Sequence, residues 1–221
     1  MPDDLPSALV KLLILGTRPY SEVLIDLFEC LSDRVQFTGA VENRDPQRCG
    51  GSLAGLPIHW QDDIAPLAAD HRLICALGTT LRRDWIEACK AMGFGFETLI
   101  HPSSTVSRRT VLGEGVIVDA GCVVAGFSTL CDHVRVGRRC SIGHHTQIGP
   151  FTTIHPGVII SGNCRIGAQV TLGTGSIVID GMEVGDGAVA AAGTVITRNI
   201  PAGALVAGNP CRIVRPDYGP I

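Results

Sequence analysis

Charged residues, aromatic rings and lysines are all scarce in this 221-residue chain. Charged residues make up 18% of the sequence and aromatic residues 5%, and only Lys11 and Lys90 accompany the sixteen arginines. The formal net charge is −3 and the arginines are scattered, so the chain lacks the basic stripe of a nucleic-acid-binding surface. The hydrophobic fraction of 45% excludes a disordered chain. We therefore expect a folded protein with no nucleic-acid partner.

Several targeting and cofactor signals are also missing. The nine cysteines form no C-x-x-C pair, and their spacing resembles neither a metal site nor a secreted disulfide framework. The acidic N-terminus has neither the basic start nor the apolar run of a signal peptide. No stretch approaches the ~18 consecutive apolar residues of a transmembrane helix. These features predict a cytoplasmic protein with reduced thiols, no metal ion and no membrane span.

Short apolar runs alternate with helical patterns over the first hundred residues. Predicted strands cover residues 11–16, 35–41, 72–77 and 96–100, and predicted helices cover about 20–31, 62–69 and 80–92. This alternation is typical of a small parallel α/β sheet. It predicts a Rossmann-like α/β domain over residues 1–104.

The pattern changes to a hexapeptide repeat at Val106. Sixteen sextets follow without an insertion, and each begins with Val, Leu or Ile except the one that begins with Ala190. Such a repeat predicts a coil of three flat strands in which residues i and i+18 stack about 4.8 Å apart. We therefore predict an all-β, left-handed parallel β-helix over residues 105–201, followed by a C-terminal tail over 202–221.

One histidine of the coil differs from an ordinary solvated corner residue. His144 occupies the third position of its sextet, which turns its ring out of the core at a corner. Gly126 and Gly162 lie one coil to either side, where a missing side chain leaves room for a substrate and exposes a backbone N–H. A histidine in this position can act as a base beside a hydrogen-bond donor for developing negative charge. His144 is therefore the candidate general base.

The sextets, the tail GNPCRIVR after IPAGALVA, and the junction LIHPSSTVS resemble the hexapeptide-repeat acyltransferases. That resemblance implies a left-handed β-helix working as a homotrimer. The α/β segment in front makes the chain similar to the bacterial sugar O-acyltransferases of sialic-acid O-acetyltransferase type. This group includes nucleotide-sugar N-acetyltransferases that act on 4-amino-4,6-dideoxy sugars.

The resemblance implies roles for residues of the coil. IGHHTQIG places the base at His144, with His145 where the family commonly has an acidic residue, and SGNCRIG places the thioester-binding amide at Gly162. A second active-site histidine of the family corresponds to Thr153, with His155 two residues further on. The C-terminal coils and tail resemble an acetyl-CoA groove, formed here by Gly173, Thr174, Ala191, Ala192, Gly193, Arg198, Pro210 and Arg212.

The acceptor site is expected in the N-terminal domain. Relatives that bind nucleotide sugars have a turn G-x-G-G-H after the first strand, of which only the first glycine remains here. The candidate substrate-binding residues are Gly16, Thr17, Arg18, Glu42, Gly78 and Arg83. Arg18 and Arg83 are candidates for a diphosphate, because the arginine fork binds phosphate bidentately.

These features predict an acetyl-CoA-dependent acyltransferase that acetylates an amino group of a nucleotide-linked sugar. Two alternatives remain within the same fold. One is a sugar O-acetyltransferase, and the other is a catalytically silent scaffold, which the missing acidic partner and degraded glycine turn would favour. A third alternative is a carbonic-anhydrase-like β-helix that holds zinc through three histidines, although the column spacing of His144, His145 and His155 does not suit it.

Overall fold

A computed structural model describes residues 9–221 of the chain. The chain divides into two compact units. Among the described residues, the first comprises 9–77 and 85–97, and the second comprises 78–84 and 98–221. No helix within residues 9–221 is long and apolar enough to cross a membrane.

The first unit is built on a five-stranded sheet. Its strands are β1 (Val10–Leu15), β2 (Val35–Glu42), β3 (Ser52–Leu53), β4 (Leu56–Trp60) and β5 (His71–Cys75). They lie in the order β3-β4-β2-β1-β5, and all neighbours are parallel except the β3–β4 hairpin. The predicted parallel α/β sheet is confirmed. The hairpin was not predicted, because its short strands lack an apolar run.

Two α-helices accompany this sheet. Helix α1 (Pro19–Phe28) begins with proline in its first turn, where a missing N–H costs nothing, and helix α2 covers Arg83–Ala91. Short 3₁₀ turns cover Glu29–Leu31, Pro46–Arg48, Gln61–Asp63, Ala65–Ala69 and Thr80–Arg82. The helix expected over residues 62–69 is therefore two 3₁₀ turns, because Pro66 cannot donate the hydrogen bond that an α-helix needs there.

The consecutive apolar residues of strand β1 lie in the core of the first unit. Residues Leu12 to Leu15 are all at most 1% exposed. A strand consists of consecutive apolar residues when both faces of its sheet are covered. Leu24 and Phe28 of α1 and Ile86 of α2 are likewise fully buried.

The second unit is a coil of two-residue strands on three faces. The first face holds β6 (Leu99–Ile100), β9 (Ile117–Val118), β12 (Arg135–Val136), β15 (Thr153–Ile154), β18 (Thr171–Leu172) and β21 (Val189–Ala190). The second face holds β7 (Thr105–Val106), β10 (Val123–Val124), β13 (Ser141–Ile142), β16 (Ile159–Ile160), β19 (Ile177–Val178) and β22 (Val195–Ile196). The third face holds β8 (Val111–Leu112), β11 (Thr129–Leu130), β14 (Gln147–Ile148), β17 (Arg165–Ile166) and β20 (Glu183–Val184).

Each coil strand pairs in parallel with the strand eighteen residues further on. Ser141 thus lies opposite Ile159, and Gln147 lies opposite Arg165. The predicted left-handed parallel β-helix is confirmed. Strand β6 pairs with β9 and so belongs to the coil. The strand expected over 96–100 is therefore divided, with Phe96 bridging to Leu73 of the first unit.

The tail extends and closes the coil. Strand β23 (Leu205–Ala207) joins the first face beside β21, and β24 (Arg212–Arg215) returns antiparallel to β23. Between them the chain crosses to the second face, where Val195 donates a backbone hydrogen bond to Gly208 and accepts one from Cys211. The turn holding Pro210 is thereby fixed to the last coil.

Candidate active site

The turns between faces stack into three corners of the coil. The first corner, between the first and second faces, contains residues 119–122, 137–140, 155–158, 173–176 and 191–194. The second corner, between the second and third faces, contains 107–110, 125–128, 143–146, 161–164, 179–182 and 197–199. The third corner contains 113–116, 131–134, 149–152, 167–170 and 185–188.

His144 lies in the second corner with its ring over Gly162. A Cβ built on Gly162 would lie 2.8 Å from Cε1 and 2.9 Å from Nε2 of His144. The space expected for a substrate at Gly162 is therefore occupied by the His144 ring itself. Within residues 9–221, the Gly162 N–H donates to no protein group. Glycine at 162 thus lets the His144 ring pack against a residue whose backbone donor is available.

His145 holds the other side of the His144 ring. The two Nδ1 atoms are 3.0 Å apart and the rings meet edge to face. Such a contact contains one proton, which one ring donates and the other accepts. When His144 donates, its Nε2 carries the lone pair that a base needs. His145 also stacks on Phe127, with 4.9 Å between ring centroids, and the Arg109 guanidinium lies 5.2 Å from the Phe127 ring.

A carboxylate that the sequence reasoning missed lies in the same column. Asp180 is one coil beyond Gly162, and its Oδ1 would be 3.1 Å from a Cβ at Gly162. The same oxygen accepts a hydrogen bond from Asn163 Nδ2 at 3.2 Å. The eighteen-residue spacing from Gly162 was the available signal. Only the directions of the side chains show that Asp180 and His144 both approach the Cβ position of Gly162.

Most of the predicted donor residues lie in the first corner. Gly173 and Thr174 occupy one coil there, and Ala191, Ala192 and Gly193 occupy the next. Gly173 is required by the coil itself, because a Cβ there would lie 2.6 Å from backbone atoms of residues 190 and 192. The small side chains at this corner leave the backbone accessible along two consecutive coils.

The other predicted donor residues lie in the second corner and the tail. Arg198 is exposed, three coils beyond His144, which at the strand spacing corresponds to about 14 Å along the coil. Pro210 is exposed in the turn that crosses to Val195, and Arg212 is exposed at the start of β24. The second face thus separates His144 from the small-residue corner within one copy of the coil.

The second face also has an apolar exterior. Val123 is 50% exposed and Ile159 is 45% exposed, while Ile177 and Val195 are partly exposed. The outward residues of the first face are instead buried, from Ile117 to Val189.

Thr153, at the position of the family's second histidine, has a structural role. It is 2% exposed, and its hydroxyl accepts a hydrogen bond from Arg82 Nη1 at 2.8 Å. Arg82 is buried as well, and its Nη2 donates to the His133 carbonyl at 2.6 Å. His155 is half-buried, and burial, assisted by the Arg135 charge, lowers its pKa. A neutral His155 is therefore favoured near neutral pH.

The predicted acceptor residues of the first unit gather at the carboxyl end of β1. The strand order reverses at β1, with β2 on one side and β5 on the other, which is where open α/β sheets bind ligands. Gly16 follows β1 with φ +115°, a conformation that other residues rarely adopt. Arg18 is exposed at the start of α1. Arg48, which the sequence reasoning missed, donates to the Thr17 carbonyl at 2.6 Å.

Glu42 is bound within this turn region. Its Oε2 accepts a hydrogen bond from the buried Thr17 hydroxyl, and its Oε1 accepts from the backbone N–H groups of Asn43, Arg44 and Asp45. Burial raises the carboxyl pKa, but these hydrogen bonds outweigh it and the net pKa is lowered. Both oxygens of Glu42 thus already connect the ends of β1 and β2.

The remaining acceptor candidates, Gly78 and Arg83, belong to the second unit. The Arg83 guanidinium lies 5.9 Å from the Phe151 ring centroid. A Cβ on Gly78 would lie 3.8 Å from Arg135 Nη1. Arg18 and Arg83 are therefore positioned by different units.

Among residues 9–221, no three His, Cys, Asp or Glu side chains gather as metal ligands would. A groove of about 450 Å³ runs along the third face beside Gln147, Arg165 and Glu183. It contains none of the predicted site residues.

Comparisons with known proteins bear on this geometry. The model of the bacterial transferase hexapeptide (six repeats) matches residues 139–174. This segment contains His144 and Gly162, and its sextets form the middle of the coil. The chain belongs to the hexapeptide-repeat transferase family.

Solved structures of this kind cover nearly the whole chain. The acetyltransferase domain of PglB from Neisseria gonorrhoeae, in complex with acetyl coenzyme A, is 32% identical with a TM-score of 0.85 and covers 94% of this chain and 100% of its own. A mutant of perosamine N-acetyltransferase from Caulobacter crescentus, in complex with CoA and GDP-perosamine, is 27% identical with a TM-score of 0.84. That match covers 94% of this chain and 98% of the other.

Curated relatives match over shorter segments. YvoF of Bacillus subtilis, whose name assigns it only provisionally to the acetyltransferases, is 41% identical over 119 residues. The match covers 54% of this chain and 55% of that protein. A tetrahydropyridine-dicarboxylate N-acetyltransferase of Staphylococcus aureus is 45% identical over 40 residues, or 18% of this chain and 17% of that protein. The match thus spans at most about half the length of these curated relatives.

Proposed function

We propose that the chain transfers an acetyl group from acetyl-CoA to an amino group of a nucleotide-linked sugar. The observation that carries the proposal is the His144 ring packed against Gly162, whose backbone N–H donates to no protein group within residues 9–221. A base and an oxyanion donor next to each other are the two parts that acyl transfer needs from the protein. The similar structures with bound acetyl coenzyme A and GDP-perosamine supply the classes of donor and acceptor.

In this mechanism the neutral amine attacks the thioester carbonyl carbon. A nitrogen–carbon bond forms, and the Gly162 N–H receives the carbonyl oxygen as negative charge develops on it. His144 Nε2 takes a proton from the attacking nitrogen while Nδ1–H donates to His145. The carbon–sulfur bond then breaks, and the proton passes to the leaving thiolate of CoA. His145 orients the ring but adds no negative charge.

The donor site is completed in this proposal by a second copy of the chain. His144, Gly162 and Arg198 border one edge of the second face, and the small-residue corner of Gly173 and Ala191 borders the other edge. If three copies turn their apolar second faces to a common axis, the second corner of each copy meets the first corner of the next. A homotrimer then provides two walls for CoA, with Pro210 and Arg212 at the end of the groove.

The acceptor site is proposed at the carboxyl end of β1 in the first unit. Gly16 supplies the positive φ of the turn after β1, and Arg18 and Arg48 provide positive charge for a diphosphate. Thr17 and Glu42 fix the shape of this turn. Gly78 and Arg83, which belong to the second unit, stay predictions from the sequence.

The test measures acetyl transfer from acetyl-CoA to GDP-, UDP- and dTDP-linked 4-amino-4,6-dideoxy sugars, with the product detected by mass spectrometry. His144→Asn should lower kcat about 10²–10⁴-fold and change the acceptor KM little, because the base acts mainly in the transition state. His145→Asn should cost only about tenfold, since its role is to orient. Absence of transfer to every amino sugar by the wild-type protein would reject the proposal, and transfer to a hydroxyl sugar instead would identify an O-acetyltransferase.

A further inference from the structure

Two aspartates of the third corner show what an aspartate at this sextet position usually does. Asp132 accepts a hydrogen bond from the Glu114 N–H at 2.9 Å, and Asp186 accepts one from the Ala168 N–H at 2.8 Å. In both pairs the aspartate lies eighteen residues after the amide, at the third position of its own sextet. Each carboxylate thereby caps the amide one coil away, at the corresponding position.

Asp180 has the same relation to Gly162 but makes a different contact. It also occupies the third position of its sextet, eighteen residues after Gly162. Its Oδ1 accepts from Asn163 Nδ2 at 3.2 Å, and no carboxylate within residues 9–221 accepts from the Gly162 N–H. The oxygen remains close, 3.1 Å from the position of a Cβ on Gly162. Rotation of the Asp180 side chain would therefore be enough to bring its carboxylate to the capping position.

The residue after the amide distinguishes the three pairs. Gly115 follows Glu114 and Gln169 follows Ala168, and neither holds the aspartate above it. Asn163 follows Gly162, and its amide group does hold Asp180. Asn163 has φ +58°, which asparagine tolerates better than most residues, so backbone geometry alone could account for its presence. The side-chain contact with Asp180 is the additional observation.

We propose that Asn163 is a positioning residue that keeps Asp180 off the Gly162 N–H. This inference rests on the proposed role of that N–H as the acceptor of the thioester oxygen. A carboxylate on the amide would occupy the donor, and its negative charge would oppose the charge that develops on the thioester oxygen. With Asp180 bound to Asn163, the amide stays available to acetyl-CoA.

The kinetic test is a double-mutant cycle. Asn163→Gly removes the amide group and accepts the positive φ. We expect it to lower kcat/KM for acetyl-CoA about tenfold or more, within the 10²–10³-fold cost of losing an oxyanion donor, and to leave the acceptor KM nearly unchanged. In an Asp180→Ala background the same substitution should have little effect, because no carboxylate remains to cap Gly162. An equal loss in both backgrounds, or no loss in either, would overturn the inference.

A matched control and a structural readout complete the test. Gln169→Gly changes the corresponding residue of the next sextet, which also has positive φ at +53°, and should leave the kinetics unchanged. A crystal structure of Asn163→Gly should place Asp180 Oδ1 within hydrogen-bond distance of the Gly162 nitrogen. An Asp180 that stays away from this nitrogen rejects the inference, whether or not the protein transfers acetyl groups. If the wild-type protein transferred no acetyl group, the proposed function would be rejected instead.

Discussion

Replacing Gly162 with alanine should displace the His144 ring and leave the stability of the coil nearly unchanged. The new methyl group would lie 2.8 Å and 2.9 Å from two ring atoms, whereas ordinary contacts between carbon atoms begin near 3.4 Å. The ring must therefore move by roughly half an ångström or rotate away. Because His144 is a corner side chain rather than backbone, the fold can accommodate this movement.

The expected cost is mainly catalytic. Displacing a reacting group by a distance of this order costs about 10²-fold in rate, which corresponds to about 2.7 kcal/mol in activation free energy. Complete loss of the base would set the upper limit at about 10⁴-fold. Gly162 has no positive φ, so alanine introduces no backbone strain, and the free energy of unfolding should change by less than about 1 kcal/mol.

The assay is the initial rate of CoA thiol release with a saturating amino-sugar acceptor, together with thermal unfolding. Gly126→Ala is the matched control, because its methyl group would meet only Ser107 Oγ at 3.0 Å and more distant atoms. It should retain nearly full activity. Adding Gly162→Ala to His144→Asn should cost little, since the displaced ring is already absent. A folded Gly162→Ala protein with wild-type kcat would refute the reasoning, and so would additive losses in the double variant.

Three further predictions concern assembly and pH. Ile159→Arg should convert the proposed trimer to monomers in light scattering, because it places a charge on the apolar second face. Val111→Arg, on the third face, should leave the assembly intact. A trimeric Ile159→Arg protein would exclude the second face as the interface. Glu42→Gln should lower the free energy of unfolding by about 1–3 kcal/mol at pH 7, because the carboxylate accepts four hydrogen bonds. Since the folded pKa of Glu42 is lowered, this difference should shrink as pH falls below 4.5, the ordinary pKa of a glutamate side chain. Denaturant titrations that gave equal differences at pH 7 and pH 4 would contradict the assignment. The folded pKa of His155 is lowered, so the unfolded chain takes up the His155 proton first as pH falls below about 6.5. Between about pH 7.5 and 5.5 the wild-type protein should therefore lose more free energy of unfolding than His155→Gln. Parallel stability curves of the two proteins against pH would contradict this.

The hexapeptide pattern determined the coil because its cause is local and repeated. An inward aliphatic residue at each first position and small residues at the corners leave one way to stack the strands, so the eighteen-residue register followed directly. Ser141 opposite Ile159 is one instance. The same register predicts that Gly126, His144 and Gly162 share one column. The sequence was weaker for strand β6, because a two-residue strand carries no sign of which sheet it joins.

What only the tertiary structure decided are the directions and partners of side chains. Periodicity puts Gly162 next to His144, but it does not show that the ring fills the space at Gly162 or that Asn163 holds Asp180. Glu42 was expected to face a ligand, yet its oxygens are bound by Thr17 and backbone amides that come together only when β1 and β2 pair. The sequence by itself thus determined the repeat, the fold and the column of the site. The tertiary structure decided which atoms in that column meet, because rotamers and hydrogen bonds depend on neighbours that are distant along the chain.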